Sequence, residues 1–498
     1  MALRGEKVVI ASLPRLVAVS AAMEILFVSP EVAPFTRGSS VADVAAALPK
    51  ALRALGHRTH VITLRHGGVA VDNTTVARRL QQLIVPLGAD KITVDVYEAR
   101  LSSGLHVTML DAPALTQRDK IYGEPDDHLR YALLCRGAIE WVKMMGVIPD
   151  VIHAHDWGAA LTPLYLAMAA EKDPTLANVR TVFTVHDAEN RGLFDKKTLA
   201  AIGIPDRYFA PSELEFYGQV CWLKYGILKS NRVTAPSPTY AKELATAEVG
   251  RGLEGVVKHR GRDFTGILHG VDFSVFNPAT DPHLAARFDA EGLDGRERCR
   301  TDLAEVTGLS QKNESPIFGY VGPIDAARGL DLLAACATRI MRNESRWVIA
   351  GTGDAGLVTA FTALSKRFPD RFAFRETYTD AFAHKVYAGS DFWVAPSRRE
   401  PGAVSHLYAM RYGAIPVARA TGAVCDAVVD CDARFESGTG FLFDGADPDE
   451  LFGAIGRAIG VFRRRDVLNK LRHRIMRKDV SWDRCARQYD GIYQSLVK

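Results

Sequence analysis

The sequence predicts an α/β chain of two doubly wound parallel-sheet domains, and three observations carry that prediction. Short apolar runs alternate with longer helical patterns along the whole chain. Several runs are unbroken Val/Ile/Phe stretches rather than alternating ones, the mark of strands covered on both faces. The series also restarts: residues 25–28 open one set and residues 318–321 a second, in a chain of 498 residues that is too long for a single core.

In order, the strands of the first set are expected at 25–28, 58–64, 92–99, 107–110, 151–154, 180–185 and 232–235. Those of the second set fall at 318–321, 347–350, 372–374, 391–395, 415–418 and 440–443. Amphipathic patterns such as 42–54 and 450–461 supply the intervening helices. The first domain is assigned to 23–275 and the second to 316–475. Residues 276–315 read as a linker, because they hold Pro278, Asp281-Pro282 and a charged stretch from Arg287 to Arg300. Residues 476–498 are expected to form a helix that crosses back to the first domain. Residues 1–22 read as an N-terminal extension: Arg4 and Lys7 precede apolar stretches, but Pro14 and Arg15 interrupt what would otherwise look like a secretory signal.

Composition narrows the function classes. Sixty-two Lys and Arg against 58 Asp and Glu leave a net charge of +4, which gives no reason to expect nucleic acid. No apolar run reaches the ~18–20 residues of a membrane span. The seven cysteines are scattered without C-x2-C spacing, which points to reduced thiols in the cytoplasm and to no metal.

The stretch that concentrates chemistry is Ser397-Arg398-Arg399-Glu400-Pro401-Gly402-Ala403-Val404-Ser405-His406. It lies between a predicted strand end and a predicted helix start, the edge where open α/β sheets bind ligands. A carboxylate and a phosphate-friendly helix start share that loop, as a sugar-nucleotide site requires. His153-Ala154-His155-Asp156-Trp157 and Thr184-Val185-His186-Asp187 end two more strands at the same edge. The alternating histidines find no third metal-ligand cluster, and Asp156 is placed either as a helix cap or as a substrate contact. Arg37-Gly38-Ser39-Ser40 and Gly322 to Gly329, with Arg328, follow the first strand of each set. Gly351-Thr352-Gly353 and Gly422-Ala423 are further glycine turns at strand ends.

These residues resemble the bacterial glycogen synthases and plant starch synthases, retaining glucosyltransferases with the two-domain GT-B fold. The resemblance runs from about Met23 to the C-terminus. It is carried by Val28-Ser29-Pro30-Glu31-Val32-Ala33-Pro34, His153 to Trp157, Phe183 to Asp187, Ser237-Pro238-Thr239-Tyr240, Gly252-Leu253-Glu254-Gly255, Gly270-Val271-Asp272 and Ser397 to Pro401. It implies ADP-glucose as donor substrate, an α-1,4-glucan acceptor, and neither cofactor nor metal. It gives Glu400, His186 and Asp156 the catalytic positions, and His155 and Trp157 the acceptor side. Donor contacts fall to Arg37, Gly38, Ser39, Arg328, Gly351, Gly353, Tyr378, Ser405, Thr421 and Gly422.

The departures are as specific as the matches. The family's Lys-Thr-Gly-Gly-Leu reads Arg37-Gly38-Ser39-Ser40-Val41 here, and its second-half phosphate-binding Arg aligns with Pro323. Its Glu-Pro-Cys-Gly-Leu-Thr-Gln becomes Glu400 to His406 with Gly402 for Cys. The Asn before Gly270 is His269. The resemblance therefore implies a glucan synthase, with a GT-B transferase of another donor or acceptor, or a catalytically impaired glucan-binding paralogue, as the alternatives.

Overall fold

The computed structural model describes residues 22–67, 76–79, 81–118, 120–312, 314–402 and 404–497. The proposed extension, apart from Ala22, lies outside the described residues.

The first domain is built on a ten-stranded sheet. From one edge it runs Phe264–Gly266, Arg232–Ala235, Arg180–Thr184, Val151–His155, Glu24–Val28, Arg58–Leu64 and His106–Asp111, all parallel. Asp90–Arg100 then joins antiparallel, followed by Val76–Arg78, with Leu83–Leu87 pairing alongside. The central strands send alternate side chains to opposite faces. Leu26 and Val28 enter one apolar cluster and Ile25 and Phe27 another, so no polar face remains and the strand reads as an unbroken run. The edge ribbon is half exposed, and its strand Asp90–Arg100 alternates accordingly.

The second domain is a six-stranded parallel sheet. Its order is Phe372–Arg375, Arg346–Ala350, Ile317–Val321, Phe392–Ala395, Ile415–Arg419 and Phe441–Phe443, which in chain order is 3-2-1-4-5-6, the doubly wound pattern. In both domains the strand order reverses beside the first strand. The loops that leave the carboxyl ends there form the ligand crevice. In the first domain these are the loops after Glu24–Val28 and Val151–His155, and in the second the loops after Ile317–Val321 and Phe392–Ala395.

Two stretches differ from the sequence reading. The expected linker contains the helix Asp294–Thr307, whose Cys299 and Leu303 lie in the second domain's core. Its charges mislead because some are buried as pairs: Arg296 and Arg300 approach Asp391 at 3.6 and 3.1 Å, with Arg472 also bonded to that carboxylate. Burial alone would raise the Asp391 carboxyl, but these three guanidiniums hold it below its ordinary range. A three-stranded sheet of Leu193–Phe194, Glu215–Phe216 and Gln219–Cys221 was also invisible, since two- and three-residue strands leave no periodicity.

The last helix, Trp482–Val497, packs on the first domain against Ser40–Ala54. Trp482, Cys485, Ala486, Tyr489 and Tyr493 share a core with Ile25, Phe27 and Leu48, and the Tyr493 hydroxyl bonds His153 Nδ1 at 2.7 Å.

Candidate active site

The two switch points face each other across a cavity of about 390 Å³. Glu400 projects from the loop after Phe392–Ala395 and is almost fully buried. Arg328 Nη1 donates to its Oε1 at 2.9 Å and Ser397 Oγ to its Oε2 at 2.8 Å, so both oxygens are held. The Glu400 charge in turn pushes the Arg328 guanidinium above its ordinary pKa and keeps it a fixed cation. The loop is pinned from behind, where Ala423 N donates to Glu400 O at 2.8 Å. Gly422 has φ 48°, and a Cβ there would meet that carbonyl at 2.0 Å, so only glycine fits.

Opposite stand the strand-end residues of the first domain. His186 Nε2 and His155 Nδ1 share a hydrogen bond of 3.0 Å. Burial lowers His186 to about 3, and burial with neighbouring imidazoles drives His155 well below its usual value, so both rings are neutral. His153, the other alternating histidine, spends both ring nitrogens on the hydroxyls of Tyr493 and Thr184, each at 2.7 Å. Asp156 has φ 58° and ψ −178°, a region that side-chain-bearing residues seldom occupy. Burial, then the charge of Asp187, raises its carboxyl well above the usual range, and its Oδ1 has no hydrogen-bond partner among the described residues. The site thus sets a neutral imidazole and a buried carboxyl biased toward its neutral form on one wall against the Arg328–Glu400 ion pair on the other.

Arg37 spans the domains: its Nε meets Asp43 at 3.1 Å and its Nη1 meets Asp380 at 2.7 Å. Gly38, Ser39, Tyr378 and Ser405 line the cavity with it, as does Trp157. Trp157 also stacks edge-on against Tyr131 at 4.7 Å, so it serves the core as well.

The remaining expected contacts are not on the cavity wall. His155 stands behind His186. Gly351 and Gly353 receive backbone rather than ligand: added Cβ atoms would strike Gly322 O at 1.8 Å and Ile324 O at 2.2 Å. They let the loop carrying Pro323 pack onto its neighbour. Thr421 Oγ1 and Gly422 N both donate to Glu243 Oε1 of the first domain, at 3.2 and 2.9 Å.

Glu31, which enters the sequence reading only as part of a motif, organises the Arg37 to Ser40 loop. Its carboxylate accepts from the backbone N–H groups of Gly38 and Ser39, from Ser39 Oγ at 2.7 Å and from Tyr122 at 2.6 Å. A carboxylate of the protein therefore takes the amides that would suit a phosphate. Arg399, also unassigned, pairs with Glu189 across the cleft. Gly402, where the resemblance leads one to expect Cys, lies so close to Pro236 that a Cβ would approach its Cβ at 2.3 Å. Glycine there lets the domains meet.

Residues 24–259 match the family model described as the starch synthase catalytic domain, and residues 315–460 match that of the group 1 glycosyl transferases. A glycogen synthase of Koribacter versatilis is 36% identical over 477 residues, covering 95% of this chain and 98% of the relative. One from Anaeromyxobacter dehalogenans is 37% identical over 481 residues, covering 95% and 99%. The catalytic domain of starch synthase IV from Arabidopsis thaliana, solved with ADP and acarbose bound, superposes with a TM-score of 0.91 at 30% identity, covering 96% of this chain and all of that one. The fold is GT-B. With relatives of this identity aligned over nearly its full length, the chain belongs to the glycogen synthase and starch synthase family of glycosyltransferases.

Proposed function

We propose that this enzyme transfers glucose from ADP-glucose to the 4-hydroxyl of an α-1,4-glucan with retention, and that it works in the cytoplasm, in keeping with seven unpaired thiols. The observation that carries the reading is Glu400, held by Arg328 and Ser397, facing His186 and Asp156 across one cavity. The related starch synthase with ADP and acarbose bound supports both substrate classes.

In this reading the bond from C1 of glucose to the diphosphate breaks while the acceptor 4-oxygen bonds C1 from the same face. The acceptor proton passes to the departing diphosphate oxygen, and ADP leaves. Glu400 lies beside the donor sugar and stabilises the positive charge that develops there. Arg328 faces the departing diphosphate. Neutral His186 offers an uncharged hydrogen bond to a sugar hydroxyl, and burial favours the neutral form of the Asp156 carboxyl beside it, which limits the charge added to the reacting centre.

One observation favours a second reading, an impaired glucan-binding paralogue. The two cations on the cavity wall, Arg37 and Arg328, are both already paired with carboxylates. Pro323 adds none, and Glu31 holds the loop amides.

The test is to incubate the protein with glycogen and ADP-glucose or UDP-glucose, measuring released nucleotide and glucan-bound glucose. Turnover with ADP-glucose that falls roughly 10²-fold or more in Glu400→Gln is expected. Pro323→Arg is expected to raise it by about tenfold through a new charge-assisted contact. Turnover only with UDP-glucose, or glycogen binding without any turnover, overturns the proposal.

A further inference from the structure

We propose that a second cavity, in the second domain and separate from the cleft, binds a phosphorylated small molecule. It has a volume of about 690 Å³ and is lined by Thr439, Lys470, His473, Arg474, Arg477 and Lys478. It shares no lining residue with the cleft. Lys470, His473, Arg474 and Arg477 recur at i, i+3, i+4 and i+7 along the helix Arg465–Met476 and its C-cap, so helical geometry sets them on one face.

Arg474 and Lys478 are anchored but not neutralised. Among the described residues only Arg477 has a carboxylate within ion-pair range, Glu291 at 2.9 Å, and both side chains are more than half exposed (58% and 74%). Arg474 is fixed by carbonyl oxygens instead, those of Gly438 at 2.8 Å and Glu436 at 2.7 Å. The Lys478 ammonium sits on Ala427 O, and His473 Nδ1–H donates to Ala290 O at 2.5 Å. Thr439 Oγ1 accepts from Val429 N at 2.9 Å, which leaves its O–H free to donate.

Carbonyl bonds of this kind lock side-chain geometry while leaving the charge unspent, which is how a preorganised anion site is made. Several positive groups crowded around one space repel one another, and a multiply charged anion relieves that repulsion. A phosphate group supplies two negative charges and enough acceptor oxygens to engage a guanidinium, an ammonium and a hydroxyl together. Lys470 and Arg477 are exposed, so the space opens to solvent and the organic part of a phosphorylated molecule can extend out of it.

The position also has reach. Lys478 caps the carboxyl end of the helix Gly422–Ala427, and near the other end of that helix Ala423 N holds Glu400 O. One short helix separates the second cavity from the Glu400 loop.

The probe is pyrophosphate, measured by isothermal titration against the full-length chain. The reference is an Arg328→Ala protein, which weakens binding in the cleft. In that background the added pair Lys470→Glu and Arg477→Glu, both exposed and outside the core, should weaken pyrophosphate binding at least tenfold. Lys470→Ala alone should fall between. Unfolding curves of the variants that match the reference would assign the loss to the cavity. Equal pyrophosphate affinity with and without the two charge reversals overturns the proposal. So does an Arg328→Ala protein that binds an oligonucleotide through these residues but not pyrophosphate.

Discussion

Asp156 stores two kinds of cost at once. Its backbone adopts φ 58° and ψ −178°, and its carboxyl is buried beside the charge of Asp187. Strain of this backbone type is of order 1–3 kcal/mol and persists only where the surroundings enforce it. The pKa is raised above the ordinary value near 4, so this group's contribution to stability is fully present below that pH. It is lost as pH rises through the elevated folded value. Asp156→Asn keeps the shape and removes the titration. Relative to wild type, the variant should gain stability as pH rises from about 4, by up to ~1.36 kcal/mol per unit until the folded pKa is passed. Urea unfolding at a series of pH values reads this directly, and parallel curves for the two proteins would refute it. At this scale the sequence was only partly legible. Glu400, Arg328 and His186 announce themselves because each reactive side chain lies in or at the start of the loop that follows an apolar run. Glu31 does not, because its partners Gly38, Ser39 and Tyr122 lie 7, 8 and 91 residues away and only the fold brings them together. Glycines were legible as points of close approach, but spacing does not say to what: Gly351 approaches Gly322 O rather than a ligand.

Strands carry the next level of consequence. The strands Val151–His155 and Arg180–Thr184, with the loop carrying His269, bring His153, His155, His186 and His269 into one buried cluster. All four are lowered, first by burial and, for all but His186, also by one another. A depressed histidine contributes stability that is complete above the unfolded pKa near 6.5 and is lost as pH falls toward the folded value. The first domain should therefore be acid-sensitive from about pH 6.5 downward. His269→Asn, the residue the family resemblance leads one to expect there, should flatten that loss by up to ~1.36 kcal/mol per pH unit. The check is chemical denaturation on both sides of that pH, and an unchanged slope would remove His269 from the cluster's titration. The strands themselves were easy to find, because a strand packed on both faces has nowhere to put a polar residue. Helix Asp294–Thr307 was hidden for the opposite reason: its guanidiniums find a buried carboxylate, Asp391, from nearly a hundred residues downstream.

Across the whole molecule, the domains are joined by polar contacts at the cleft rim and by the return of the last helix. Arg37–Asp380, Arg399–Glu189 and the Glu243 cap on Gly422 cross the cleft. Helix Trp482–Val497 completes the first domain's core and leaves His153 Nδ1 satisfied. Deleting residues 482–498 should therefore damage the first domain selectively. Removing three buried aromatic side chains together should cost at least ~5 kcal/mol. Limited proteolysis is expected to cut first within residues 23–270 and to spare the second sheet. Cleavage that begins in the second domain would contradict this assignment.

That returning helix has a mechanical side. Strand Glu24–Val28 and helix Trp482–Val497 meet in one core, so the second domain is in effect a long insertion within the first. Fluorophores attached near residues 23 and 497 would ride on a single rigid body and stay silent to any opening of the cleft. A dye pair that is to report opening must have one member on the inserted half, for instance on the exposed face of the helix Ala355–Arg367.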